Sequence, residues 1–228
     1  MTNLFITKQN KIVESNEWQD DFKLRVIRRY SNTEYLTEDR QGELICYIKE
    51  DNKQNLKERC NVRDEEILEH LENFKPLTEN ESNIILSING LFENKYDFLT
   101  ILGSVGIGKT FTTCLTCFEK KKTSFYYTTE YELINSYYEK NFSSFYENLK
   151  EIPLLIIDEI GRTTFKDKTL FENLLSERYK RNKKTILISN KTPQEMQDYF
   201  DLYIFDRFFK SKKSKCISIT GESLRRFF

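Results

Sequence analysis

Eight consecutive residues, Gly103-Ser-Val-Gly106-Ile-Gly108-Lys109-Thr110, carry the densest chemical signal in the chain. They fit the pattern G-x-x-x-x-G-K-[ST], and three of the chain's seven glycines fall within them. Such a loop suits phosphate. The backbone of Gly103, Ser104, Val105, Gly106, Ile107 and Gly108 wraps around the anion, and its N–H groups point inward. The helix that follows, with Phe111 in its first turn, adds the positive end of its dipole. Lys109 would reach the β- and γ-phosphates of a nucleotide, and Thr110 would set its hydroxyl on Mg²⁺.

A second cluster lies downstream in Leu154-Leu-Ile-Ile157-Asp158-Glu159, an apolar run ending in two acids. At the end of a strand beside a phosphate loop, Asp158 would hold Mg²⁺ directly or through water. Glu159 would polarise a water attacking the γ-phosphate. The plainer reading of the pair is a cap on the following helix, and only the strand before it and the loop upstream favour chemistry. Thr185-Ile-Leu-Ile188-Ser189-Asn190 puts a polar tip on another apolar run, where Asn190 can touch the attacking water or the γ-phosphate. Alone, an Asn in a turn means nothing.

These residues need elements to hold them. The apolar runs Phe98–Leu102, Thr123–Tyr127, Leu154–Ile157, Thr185–Ile188 and Cys216–Thr220 read as strands. Helical patterns fall at Thr110–Lys120, Glu130–Lys150, Leu170–Arg181 and Pro193–Phe200. Continuous rather than alternating apolar strands fit a parallel sheet covered on both faces, an α/β domain. Before it, Ile67, Leu68 and Leu71 stand at helical spacing up to Pro76. Thr78 and Glu81 have the spacing of a capping box for a helix whose face carries Ile84, Ile85, Ile88 and Leu91. Residues 1–60 are more polar and include the lone Trp18, and Tyr35–Lys49 reads as two short strands around Gln41-Gly42.

Composition excludes several classes. The chain has 228 residues, with Lys plus Arg and Asp plus Glu equal at 36 each, so neither a bulk polycation nor an acidic tail is present. Eighteen Phe and thirteen Tyr supply apolar surface that disordered chains lack. No stretch approaches the ~20 apolar residues that span a bilayer. The first ten residues do not form a secretory signal, and five cysteines without framework spacing suit reduced thiols. A cytoplasmic protein is expected, with no membrane attachment.

The phosphate loop, Leu154–Gly161, Glu177-Arg178-Tyr179, Thr185–Asn190, Phe205-Asp-Arg207-Phe and Gly221-Glu-Ser-Leu-Arg225 together resemble the DnaC/DnaI class of bacterial helicase loaders. That class also contains the IstB transposition ATPases. The resemblance runs from about Glu72 to the C-terminus, roughly two-thirds of the chain. It implies an AAA+ P-loop core without a C-terminal lid domain, preceded by a small N-terminal domain. Residues 1–61 would form the helicase-binding segment and residues 62–228 the ATPase domain.

The resemblance further implies ATP and Mg²⁺ as cofactors. Asn190 becomes the sensor-1 residue, and Arg207 the arginine finger reaching the ATP of a neighbouring copy, so that self-association completes the site. A surface salt bridge is the plainer reading of Arg207. Arg225 fits the arginine this class carries near its C-terminus, but Arg226 follows it and either can be the acting one. The implied partners are a replicative DNA helicase hexamer and single-stranded DNA, with ATP binding favouring the complex and hydrolysis releasing it. Two rivals remain: an IstB-like helper of a transposase, acting on duplex DNA, and a nucleotide-binding adaptor without turnover. An intact Glu159 speaks against the second.

Other residues leave their alternatives open. Cys46, Cys60 and His70 are too scattered for a good zinc site. Cys114 and Cys117 have C-x-x-C spacing but sit within the helix after the phosphate loop, where small buried thiols are expected. Tyr131, Tyr137, Tyr138, Lys140, Phe142, Phe145, Tyr146 and Lys150 interleave rings with cations, as a single-strand stacking surface or as an ordinary core face. Lys210-Ser-Lys-Lys213-Ser-Lys215 is a phosphate-tracking loop or a solvated turn.

Overall fold

The computed structural model describes five short strands within residues 1–58, by their backbone, and then residues 60–64, 67–68, 76, 78–121, 125–138, 140, 142–162, 168–221 and 223. The chain divides into two compact units, Met1–Glu58 and Arg59–Phe228.

The first unit is an antiparallel sheet of β1 (Leu4–Ile6), β2 (Ile12–Glu14), β3 (Arg25–Arg29), β4 (Glu34–Glu38) and β5 (Leu44–Ile48), in the order β2-β1-β5-β4-β3. The pair expected around Gln41-Gly42 is β4 and β5, joined with Glu38 opposite Leu44. A register shift interrupts the β3–β4 pairing between Val26 and Arg28.

The second unit is the α/β domain. Its strands are β6 (Phe98–Gly103), β7 (Phe125–Thr129), β8 (Leu154–Asp158), β9 (Lys184–Ser189) and β10 (Ser214–Ile219), all parallel in the order β10-β6-β9-β8-β7. Central β6, β8 and β9 are buried almost throughout, which explains their unbroken apolar sequence, while the edge strands β7 and β10 are half exposed. β7 is described from Phe125; Thr123 and Ser124, where its apolar run begins, lie outside the described residues. Parallel pairing sets Phe125 beside Leu154 and Thr129 beside Asp158. β10 is shifted from the expected Cys216–Thr220 to Ser214–Ile219, pairing Ser214 with Phe98.

Around the sheet lie α1 (Glu79–Phe92), α2 (Lys109–Lys121), α3 (Glu130–Asn135), α4 (Phe142–Glu151), α5 (Lys168–Lys180), α6 (Pro193–Tyr199) and the short α7 (Leu202–Phe205). The capping box of Thr78 and Glu81 opens α1 as expected, and Ile84, Ile88 and Leu91 are buried while Ile85 is half-buried. Thr129 with Glu132 and Thr192 with Glu195 repeat the same device at α3 and α6. The helical candidates expected over Glu130–Lys150 are α3, a 3₁₀ turn at Ser136–Tyr138 and α4. Ile67 and Leu68 are helical and buried; the rest of the helix expected there lies outside the described residues.

Two contacts tie down the β7 edge of the sheet. The Tyr127 N–H of β7 donates to Cys60 O at 2.8 Å, and Asn61 Nδ2 donates to Tyr127 O at 3.0 Å. In the core, Phe98 stacks on Tyr179 at 5.0 Å and meets Phe208 at 4.8 Å.

Arg178 on α5 is fully buried. It donates from Nε to Thr185 Oγ1 at 3.0 Å, from Nη1 to Leu149 O and Ile152 O, and from Nη2 to Lys184 O at 2.6 Å. Two of those carbonyls belong to the C-terminal end of α4, where the helix dipole favours a cation. Burial pushes its pKa down to about 9, opposed by the negative charge of Glu151. One guanidinium thus joins α4, α5 and β9. Arg178→Met keeps the stem but leaves those acceptors without a donor. We expect a loss of about 3 kcal/mol or more, read as a lower urea midpoint with an unchanged m-value.

Candidate functional site

The loop after β6 turns sharply into α2, and glycine makes that turn possible. Gly106 adopts φ +82°, and a Cβ there would collide with the Ser223 side chain. The segment after β10 therefore lies against the phosphate loop. Ser104 and Val105 are exposed at the tip, Ile107 is buried, and Gly103, Gly106, Gly108, Thr110 and Phe111 are half-buried.

Lys109 closes the loop on itself. Its Nζ donates to Gly103 O at 2.9 Å, to Ser104 O at 2.7 Å and to Asn190 Oδ1 at 2.8 Å. All three ammonium hydrogens are used. Burial lowers its pKa, and the nearby Asp158 charge opposes that fall. The Asn190 expected to sense phosphate thus meets the lysine expected to bind it, across the neighbouring strands β6 and β9.

Asp158 ends β8 on the same rim. Its Oδ2 accepts from the Thr110 hydroxyl, and from the Tyr127 hydroxyl at 3.3 Å; its Oδ1 accepts from the Glu159 N–H at 2.6 Å. Burial raises its pKa, while the hydrogen bonds from Thr110, Glu159 and Tyr127 oppose the rise. Thr110 and Asp158 present hard oxygen ligands side by side, a donor set that fits Mg²⁺. Glu159 follows in a left-handed conformation, φ +56°, with its carboxylate half-exposed and paired to Arg162. Lys109, Thr110, Asp158, Glu159 and Asn190 therefore share one rim, at the C-terminal ends of β6, β8 and β9.

Arg207 stands elsewhere. It lies on a π-helical turn, Asp206–Lys210, and its guanidinium packs 3.4 Å from the Tyr203 ring centroid and 4.8 Å from that of Tyr179. Its further contact is with the Ser176 hydroxyl at 3.4 Å. Among the described residues no carboxylate pairs with it, so the plain salt-bridge reading finds no partner there. Arg225 and Arg226 lie outside the described residues.

The aromatic run divides by face. Phe145 and Tyr146 pack on the core, Tyr146 donating to Leu170 O at 3.1 Å with Lys150 over its ring. Tyr131, Tyr137 and Tyr138 are exposed by 61%, 52% and 75%, with Lys140 exposed among them. The lysine-rich turn is largely engaged within the chain: Lys210 pairs with Asp206, Lys213 with Asn182, and Lys215 lies over Tyr96. Cys60, Cys114 and Cys117 are fully buried, and burial raises the thiols of Cys114 and Cys117. No cluster of three or more His, Cys, Asp or Glu able to hold a metal occurs among the described residues.

Sequence reasoning passed over Tyr127 and Ser223. Tyr127 sits mid-strand in an apolar run, so only the pairing of β7 with β8 brings its hydroxyl to Asp158. Ser223 lies within Gly221-Glu-Ser-Leu-Arg225, but its contact depends on how the chain returns after β10.

From residue 50 to residue 227 the chain matches the family of IstB-like ATP binding proteins. The chain belongs to that family. Against curated proteins it has no match. Among solved structures, DnaI is 21% identical with TM-score 0.56, over 71% of this chain and 94% of that one. AMPPCP-bound DnaA from Aquifex aeolicus is 24% identical with TM-score 0.55, over 69% of this chain and 51% of that one. DnaA bound to AMPPCP and single-stranded DNA is 21% identical with TM-score 0.52, over 67% of this chain and 50% of that one. The chain spans about half the length of the DnaA chains. The fold of this IstB-like protein is thus the AAA+ α/β fold, in an ATP-binding family. No helix among the described residues is long and apolar enough to cross a membrane.

Replacing the ammonium alone tests the loop. Lys109→Met should weaken binding of a fluorescent ATP analogue by about 10- to 100-fold, measured by titration, with the fold retained by circular dichroism.

Proposed function

We propose that this protein is an ATP-hydrolysing loader of a replicative DNA helicase. The observation that carries the ATPase part is the rim itself, where one lysine bridges the phosphate loop and Asn190 while Asp158 meets Thr110. In this reading the loop N–H groups and Lys109 bind the β- and γ-phosphates of ATP, which replace part of the internal bonding of the ammonium. Thr110 and Asp158 hold Mg²⁺, which supplies positive charge to the phosphate oxygens. Glu159 takes the proton of the attacking water, and Asn190 fixes that water against the γ-phosphate.

The sixth residue comes from outside the subunit. Arg207 rests on Tyr203 and Tyr179, held by ring faces rather than by an acid, and so stays available to an anion from a neighbouring copy. An arginine finger supplied in this way makes hydrolysis depend on assembly. The exposed Tyr131, Tyr137 and Tyr138 with Lys140 offer a stacking surface for single-stranded DNA. Residues 1–61 serve as the helicase-binding segment in this reading, with Arg225 or Arg226 as a further cation at the nucleotide. The match over 94% of DnaI inclines the reading toward replication. The IstB-like family match supports a second reading, an ATPase helper of a transposase on duplex DNA.

The test mixes the purified protein with its cognate replicative helicase, with and without ATP·Mg²⁺, in size-exclusion chromatography with light scattering. A defined complex that fails when residues 1–61 are removed supports loading. No complex with any nucleotide sinks it and favours the transposase reading. In the hydrolysis assay, Glu159→Gln should cut kcat by about 100-fold or more. Arg207→Ala should cut it by about 10³-fold, with affinity for ATP on isolated subunits unchanged.

A further inference from the structure

Glu130 is the first residue of α3, immediately after β7, and it is fully buried. A carboxyl group out of water is costly unless its oxygens are hydrogen-bonded. Here they are: Oε2 accepts from the Gly161 N–H at 2.9 Å, and Oε1 accepts from the Tyr199 hydroxyl. Neither partner is close in sequence. Gly161 ends the turn that carries Glu159, and Tyr199 is the last residue of α6, the helix that follows Asn190.

That turn is demanding. The chain leaves β8 at Asp158 and reverses at once, with Glu159 at φ +56° and Gly161 at φ +80°. A left-handed residue with a side chain costs about 1 kcal/mol or more, so the conformation persists only where its surroundings impose it. β9 provides two supports: the Ile160 N–H donates to Ile188 O at 3.1 Å, and the Ser189 hydroxyl donates to Ile160 O at 2.6 Å. Asp158 Oδ1 accepts from the Glu159 N–H within the turn itself, and Glu130 adds a side-chain support from the opposite side, off β7.

We propose that Glu130 is a positioning residue for Glu159: it clamps the Glu159–Gly161 turn to α6 and so sets the direction of the Glu159 carboxylate. Its two bonds join the strand end bearing the water-activating acid to the helix after the sensor. The role rests on the hydrolytic reading above. It places no demand on nucleotide binding, because the phosphate loop and Lys109 are held by other contacts.

Glu130→Gln tests it with little change of volume. The amide oxygen can keep the Gly161 N–H, but the NH₂ can only donate, so the Tyr199 hydroxyl must turn from donor to acceptor and the charged acceptor is lost. The full chain is assayed for ATP hydrolysis with single-stranded DNA, at concentrations where copies associate. The expected result is a kcat lower by about 10- to 100-fold, with affinity for a fluorescent ATP analogue within about twofold of wild type. In a Glu159→Gln background the same change should cost nothing more, because the residue being aimed is gone. Tyr199→Phe removes only the α6 leg; it should lower kcat by about threefold with affinity kept, and it carries the test should Glu130→Gln not fold. An unchanged kcat in the folded variants, a loss that follows nucleotide affinity, or an equal further loss in the Glu159→Gln background overturns the role. Absence of hydrolysis by the wild-type protein with single- or double-stranded DNA overturns the hydrolytic reading and this role with it. Hydrolysis by wild type that Glu130→Gln leaves intact overturns this role alone.

Discussion

The site turns on a single buried ammonium. Lys109 is removed from bulk water and has to find acceptors, and the fold offers two carbonyls of its own loop and the amide oxygen of Asn190. Those acceptors come from the ends of β6 and β9, so satisfying the lysine requires these strands to finish at the same height. Parallel pairing ensures this by setting Leu102 opposite Ser189 and Ile157 opposite Leu187. Asp158 then arrives one residue beyond Ile157, within reach of Thr110. The geometry of the rim is a consequence of sheet register.

How much of this was readable beforehand follows from which interactions are local. The phosphate loop, the apolar strands and the capping box of α1 depend on residues a few positions apart, and all appear as expected. The β4–β5 pair in the first unit was readable for the same reason. Element ends were less readable: β10 starts at Ser214 rather than at Cys216, because Ser214 pairs with Phe98 in another strand. Buried polar groups were the least readable. Arg178 and Glu130 look like surface charges in a chain with this many, and only the carbonyls, hydroxyls and N–H groups gathered around them by the fold make their burial tolerable.

The domain deals with polar burial in two ways. Arg178 faces four acceptors, none of them a carboxylate, so the charge is spread over backbone dipoles at the end of α4 and the start of β9. Glu130 faces two donors from separate segments. Arg207 is a third case, a half-buried cation supported by ring faces. Its charge is sheltered from water on two sides, and among the described residues no carboxylate pairs with it. A cation kept in that condition attracts an incoming anion more strongly than a solvated one.

At the β7 edge, the N–H and the carbonyl of Tyr127 are both occupied by the stretch that enters the domain at Cys60 and Asn61. An outer strand normally offers such groups to any extended peptide it meets. Here the middle rung is already taken by the chain's own approach, so a foreign strand cannot add to the sheet at that point without first displacing it. The aromatic strand beside the one that ends in Asp158 is thereby shielded from intermolecular zippering, and the first stretch of the second unit doubles as its guard.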